Sequence, residues 1–213
     1  MAKASSARRE SLYGVHPGVA MMQKWVAELK DKTGRSLDEW VALIRKEGPK
    51  TEKERRQWLK VKHKLASNTT WWLAERAEGK GGEEDSPEAY LQAAVRYVAE
   101  QYSGAKAALR PIYDELLDLG RSLGADVKAC PCRTIVPLYR THVFAQIKPT
   151  TNTRIDLGLA LTHYKGRLPK RLIDTGGLRK KDRITHRLPI SSKAEIDAEV
   201  HKWLRTAYEL AES

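Results

Sequence analysis

Cys130, Pro131 and Cys132 place two thiols one residue apart, the first arrangement in this chain able to hold a metal or carry redox chemistry. A zinc site needs four ligands, and no second cysteine pair exists to complete them. His142 and His186 are the histidines within reach of the same strand region, yet two thiols on a strand read first as small buried apolar groups. The other familiar constellations are missing. HExxH, GxSxG and the kinase set do not occur, and GGLRKKDR lacks the spacing of a phosphate-binding loop. His63 reads as an inter-helix or surface residue and His201 as a structural one. Carboxylates are sparse where arginines are dense, which disfavours paired-carboxylate hydrolysis and metal-dependent nuclease chemistry. No catalytic residue, metal or cofactor is implied, and the chain reads as non-enzymatic.

Positive charge is what the sequence supplies in quantity. The 213 residues carry a formal charge of +12 and a pI near 9.7, a balance that suits a polyanionic partner. It is concentrated in two places. Residues 126–190 hold fourteen Lys/Arg against four Asp/Glu, and residues 50–64 hold seven against two. In the first region apolar residues alternate with polar ones. Val143, Ala145 and Ile147 stand against His142, Phe144, Gln146 and Lys148; Ile155, Leu157, Leu159 and Leu161 stand against Arg154, Asp156, Gly158 and Ala160. That period of two marks half-buried strands. It assigns Arg140, Lys148, Arg154, Arg183 and Arg187 to a second sheet face or its margins, as candidate phosphate contacts. Arg55, Arg56 and Lys60 form a second candidate patch, on a helix. Asp156 among the arginines reads as an ion-pair partner, not a catalytic acid. The loop from 161 to 183 is long, glycine-bearing and basic, either an arm that orders on an anion or an exposed insertion.

The expected function is therefore that of a cytoplasmic protein binding nucleic acid or another polyanion through phosphates, with little sequence preference. Two rivals are weighed beside it. One is a small-molecule binder, or an enzyme with a cleft between domains, in which Trp71, Tyr139 and Phe144 hold an aromatic anionic ligand. The other is an adaptor or homodimer built on aromatic packing. No membrane role is expected, because no segment approaches the ~18 apolar residues of a spanning helix.

The elements that position these residues follow from pattern and punctuation. Residues 1–18 read as a disordered basic arm. Residues 19–78 read as a four-helix module holding five of the six tryptophans. Ser36 with Glu39, and Thr51 with Glu54, are capping-box pairs, and Ser67 or Asn68 is expected to cap the fourth helix. GKGGEEDS, 79–86, has linker composition, with Ser86 and Pro87 opening the next helix. Residues 87–213 then read as an α+β domain, with helices before and after a run of strands in a mainly antiparallel sheet. Leu91, Ala94, Val95, Val98 and Tyr102 are expected inward on its first helix. Ile112, Tyr113, Leu116 and Leu117 are inward on the second; Ile196, Val200, Trp203, Leu204 and Ala207 on the last.

Trp71 and Trp72 are adjacent, so about 100° separates them on a helix and they cannot share one narrow stripe. Trp72 is assigned to the module's own core and Trp71 to packing against the second domain or a partner subunit. A helix-turn-helix reading over 53–63 and 68–77 fails on chemistry, since Trp71, Trp72 and Leu73 are too apolar for a recognition helix.

The blocks GRSLDEW and GPKTEKERRQWL, within 21–77, resemble the bacterial domain of unknown function numbered 4287. LRPIYDELLDLGRSLG, TRIDLGL and ITHRLPISSKAEIDAEVHKWLRTAYELA resemble the one numbered 5655. The resemblance implies two modules in this order with an α+β second module, and brings no activity or site. Two departures stand out. Lys64 and Ala66 flank Leu65 where the first family implies glycines, and Cys132 stands where the second implies a basic residue.

Overall fold

The computed structural model describes residues 12–212. The expected basic arm therefore lies outside the described residues as far as residue 11, and its remainder is not an arm. Tyr13 is buried, its hydroxyl 3.2 Å from that of Tyr113, and the Gly14 amide donates to the Ala129 carbonyl at 2.9 Å. One aromatic side chain and one sheet-type hydrogen bond fix this segment.

The described residues divide into two compact units, one of His16–Ala93 and one of 12–15 with 94–212. In the first, α1 (Pro17–Thr33), α2 (Leu37–Glu47), α3 (Glu52–Lys62) and α4 (Ser67–Ala77) surround Leu29, Trp40, Ile44, Leu59, Leu73 and Ala77. Both capping boxes form as the sequence implies: Ser36 and Thr51 accept from the Glu39 and Glu54 amides, whose side chains reach back. Each such cap is worth about 1 kcal/mol. The fourth helix differs. Ala66 is its N-cap and makes no side-chain bond, because Ser67 already lies inside the helix. Ahead of it Lys64 adopts a left-handed φ of 57° at the position where the resemblance implies glycine.

Trp72 packs edge-on against Trp25 at 4.7 Å, while Trp71 is 40% exposed. His63 closes α3 between two indoles, 5.1 Å from Trp40 and 4.5 Å from Trp58. The segment read as a linker is tied into this unit. It forms a 3-10 turn at Gly82–Glu84, and Asp85 pairs with the buried Arg76. The units divide not there but within α5 (Pro87–Gln101), which Ser86 caps by accepting from the Ala89 amide.

The second unit continues through α6 (Arg110–Arg121) to six antiparallel strands: β1 (Lys128–Ala129), β2 (Val136–Tyr139), β3 (Val143–Pro149), β4 (Ile155–Leu159), β5 (Ile173–Asp174) and β6 (His186–Ile190). Their order is β1-β2-β3-β4-β6-β5. A short α7 (Gly177–Lys180) precedes β6, and α8 (Ala198–Leu210), capped by Asp197, closes the fold. Ala145 pairs with Leu159, and Ile147 with Leu157, which in turn pairs with Leu188. These rows and Leu138 line one face, which α6 and α8 cover. A Cβ on Gly120 of α6 would lie 2.5 Å from Leu138 Cδ1, so glycine is what lets helix and strand approach here.

Two assignments, one outward and one inward, need correction. Phe144 is fully buried, edge-on to Tyr208 of α8 at 5.6 Å. The pairing shifts between Leu138 and Tyr139, leaving Phe144 as the extra residue of a bulge, and a bulge breaks simple alternation. It belongs to the core and is no ligand aromatic. Val95 is 61% exposed, because the inner stripe of α5 runs through Tyr90, Ala94, Tyr97 and Val98.

Two outcomes are expected. A non-glycine left-handed residue costs about 1 kcal/mol, partly offset by the looser unfolded chain that glycine brings. Lys64→Gly is thus expected to raise urea stability by up to about 1 kcal/mol; a loss would show that the lysine side chain holds the turn. Burial first, then Lys62 and Arg35, holds the His63 imidazole below its ordinary 6.5, and burial likewise lowers His16. The unfolded chain therefore takes up these protons first, and stability falls as pH drops through the ordinary histidine range. His63→Gln is expected to flatten part of that fall in urea titrations; an unchanged slope would assign the fall elsewhere.

Candidate anion-binding surface

The β3–β4 hairpin determines which charges meet. Lys148 and Asp156 are direct partners across it and project from the face opposite the helices. The connecting turn is closed by the Thr151 amide donating to the Arg154 carbonyl at 3.3 Å. Asp156 is only 8% exposed. Arg154 Nε lies 3.0 Å from its Oδ1, Arg187 Nη1 donates to its Oδ2 at 2.8 Å, and the Thr150 hydroxyl donates to Oδ2 at 2.9 Å. Near the same turn, Lys106 Nζ donates to the Pro149 carbonyl at 2.7 Å. A carboxylate this shielded needs its cations, and it brings two of the five nominated sheet residues, Arg154 and Arg187, to one place, with Lys148 beside it across the hairpin.

The other two lie elsewhere. Arg140 sits 4.3 Å above the Tyr208 ring and bridges Asp126 at 2.7 Å and Glu212 at 3.2 Å. Hydrogen bonds from Arg140 and Tyr208 hold the Asp126 carboxyl below its ordinary range. Arg183 instead lines a pocket of about 50 Å³ with His142, Thr162 and His163. On the helical unit, Arg55 is engaged by Glu78 at 3.3 Å and by the Pro49 carbonyl, and Arg56 by Glu52 at 3.6 Å. Lys60 is exposed. Tyr139 is half-buried, and burial raises its hydroxyl pKa.

Reasoning from strand alternation passes over the largest group of available cations. The 161–183 loop carries eight Lys/Arg against two Asp. Arg171 is engaged, donating to Asp197 at 2.6 Å, to Glu199 at 3.2 Å and to the Glu195 carbonyl. Lys165, Arg167, Lys170, Arg179, Lys180, Lys181 and Arg183 are exposed and make no ion pair among the described residues. The loop is joined to the hairpin cluster through β5, where Ile173 pairs with Arg187. Its charge run was the available signal. A trough of about 500 Å³ flanks it, lined by Arg167, Leu168, Pro169, Glu199, Lys202 and Trp203.

Cys130 is buried, and its thiol is pushed up to about 12, first by burial and then by Cys132. A thiol so protonated is a poor nucleophile and a poor metal ligand at neutral pH.

These features define an α+β domain with helices on one sheet face and a carboxylate-organised basic cluster on the other. The chain belongs to the family described as domain of unknown function (DUF5655), which matches residues 98–211. Residues 21–68 match a second, domain of unknown function (DUF4287). No curated protein and no solved structure matches the chain.

Removing the central carboxylate exposes its role. Asp156→Asn leaves two partly shielded guanidiniums without their counter-charge and is expected to cost about 2 kcal/mol in urea denaturation. Arg154→Gln should cost less, because Arg187 and Thr150 still serve Asp156. The reverse ranking would show that Arg154 is held by packing and not by the carboxylate.

Proposed function

We propose that this protein binds nucleic acid, or a polyanion of similar charge density, through phosphate contacts and with little sequence preference. The observation that carries the reading is the run of exposed loop cations without protein partners, joined to the Asp156 cluster through β5 and β6. Cations already neutralised by the protein release little on binding a phosphate, whereas unpartnered ones displace condensed counterions and add salt-dependent affinity. Nothing in the loop or on the second sheet face is a helix long enough to enter a major groove, since α7 has only 4 residues. Base-edge readout is accordingly not part of the proposal. On this reading Lys148, Arg154 and Arg187 are contacts of the sheet, the loop supplies the wider field, and Arg140, Arg55 and Arg56 serve chiefly as internal ion pairs.

The test is fluorescence anisotropy with duplex and single-stranded oligonucleotides across salt. Four to six phosphate contacts give a log–log slope of about −4 to −5 on duplex. Replacing Arg179, Lys180 and Lys181 together by Gln is expected to reduce that slope by about 2 to 3 and weaken all sequences alike. Absence of binding at low salt to duplex, single-stranded DNA and RNA would overturn the proposal. Saturable quenching of tryptophan fluorescence by a small anion, without such binding, would favour the ligand-binding alternative.

A further inference from the structure

Along the loop the free cations are strung out in sequence, but around Asp156 they converge. Arg154 and Arg187 approach its two oxygens at 3.0 and 2.8 Å, which gathers both guanidiniums on one carboxylate. Lys148, the cross-strand partner of Asp156, is exposed on the same face. Each guanidinium carries five N–H donors. Apart from the contacts to Asp156, neither makes another hydrogen bond or ion pair among the described residues. Most of their donor capacity is therefore unused and pre-positioned.

Charge points the same way. Two guanidiniums contact one carboxylate, and with the exposed Lys148 on the same face the group carries a net of two positive charges. A bridging phosphodiester carries a single negative charge and is best met by cations spaced along a strand. A phosphomonoester carries about −1.5 to −2 at neutral pH and presents three acceptor oxygens to donors gathered at one spot. Arginine forks suit that geometry when something holds them still. Asp156 does so, offsetting the repulsion that would otherwise separate two guanidiniums.

We propose that Lys148, Arg154 and Arg187 form a site for one terminal phosphate group, of the kind borne by a phosphorylated strand end or by free phosphate, with Asp156 as the positioning residue. The inference rests on the polyanion reading where the ligand is nucleic acid, and adds the strand end as the preferred contact.

The experiment uses the full chain and one single-stranded oligonucleotide bearing either a 5′-phosphate or a 5′-hydroxyl, with inorganic phosphate as competitor. The phosphorylated end is expected to bind about tenfold tighter, and inorganic phosphate to remove only that difference. Arg154→Gln and Arg187→Gln should abolish the preference while retaining most hydroxyl-end binding. Asp156→Asn separates positioning from bulk charge. It makes the surface more positive, yet is expected to weaken the phosphate-end preference; a stronger preference would overturn the positioning role. Should Asp156→Asn fail to fold by circular dichroism, the exposed Lys148→Gln tests the same site, with loss of preference expected. Equal affinity for both ends in the unaltered protein overturns the terminal site and leaves the polyanion reading intact. Saturable binding of inorganic phosphate without oligonucleotide binding does the opposite, and binding of neither overturns both.

Discussion

Asp156 is the carboxylate on which the second face of the sheet is organised. Its neighbours Ile155 and Leu157 are fully buried beneath the helices, so the pleat forces Asp156 outward from that core. A slip of one residue in the β3–β4 register would drive a charge into the apolar layer. Such a slip is excluded by the energy of burying an unpaired carboxylate. Held outward but shielded, Asp156 needs cations. Arg154 reaches it from two residues upstream on the same side, and Arg187 from the neighbouring strand. Hydrophobic patterning thereby fixes electrostatics: the rows that build the core also determine where positive charge converges.

The same physics sorts the remaining cations. Arginines close to the packed interior are each provided with a local partner. Arg76 has Asp85, Arg140 has Asp126 and Glu212, Arg55 has Glu78, and Arg171 has Asp197 and Glu199. Shielded guanidiniums tie segments together; Arg171, for instance, fastens the basic loop to the start of α8. Lysines and arginines farther out in that loop lack such partners and remain in water, where their charge is available. Net charge alone makes no distinction between these groups, whereas burial and pairing do.

Much of this was legible in the sequence. The capping pairs at Ser36 and Thr51 and the inward stripe of α8 each rest on local spacing, and the structure reproduces them, whereas 155–159, whose alternation implies a half-buried strand, is buried at every position. Elements whose cause is not local were not legible. Alternation assigns Phe144 to the polar side, because a bulge depends on the partner strand. Ala66 is the cap because the chain reverses at Lys64, and GKGGEEDS reads as a linker by composition because Asp85 meets Arg76 only in three dimensions. In the candidate site, alternation selected Lys148, Arg154 and Arg187 correctly as neighbours on one face. It gave no means of separating them from Arg140, whose partners lie 14 and 72 residues away. The unpartnered loop cations were visible as a charge run, but their freedom from ion pairs is a property of the fold.

The most direct test is an NMR titration of inorganic phosphate into the folded full chain, following the arginine Nε–H resonances. The expected result is saturable shifts at Arg154 and Arg187, with Arg140 unmoved between Asp126 and Glu212. Uniform small shifts across the exposed loop arginines, with Arg154 and Arg187 no different from the rest, would contradict a site organised by Asp156.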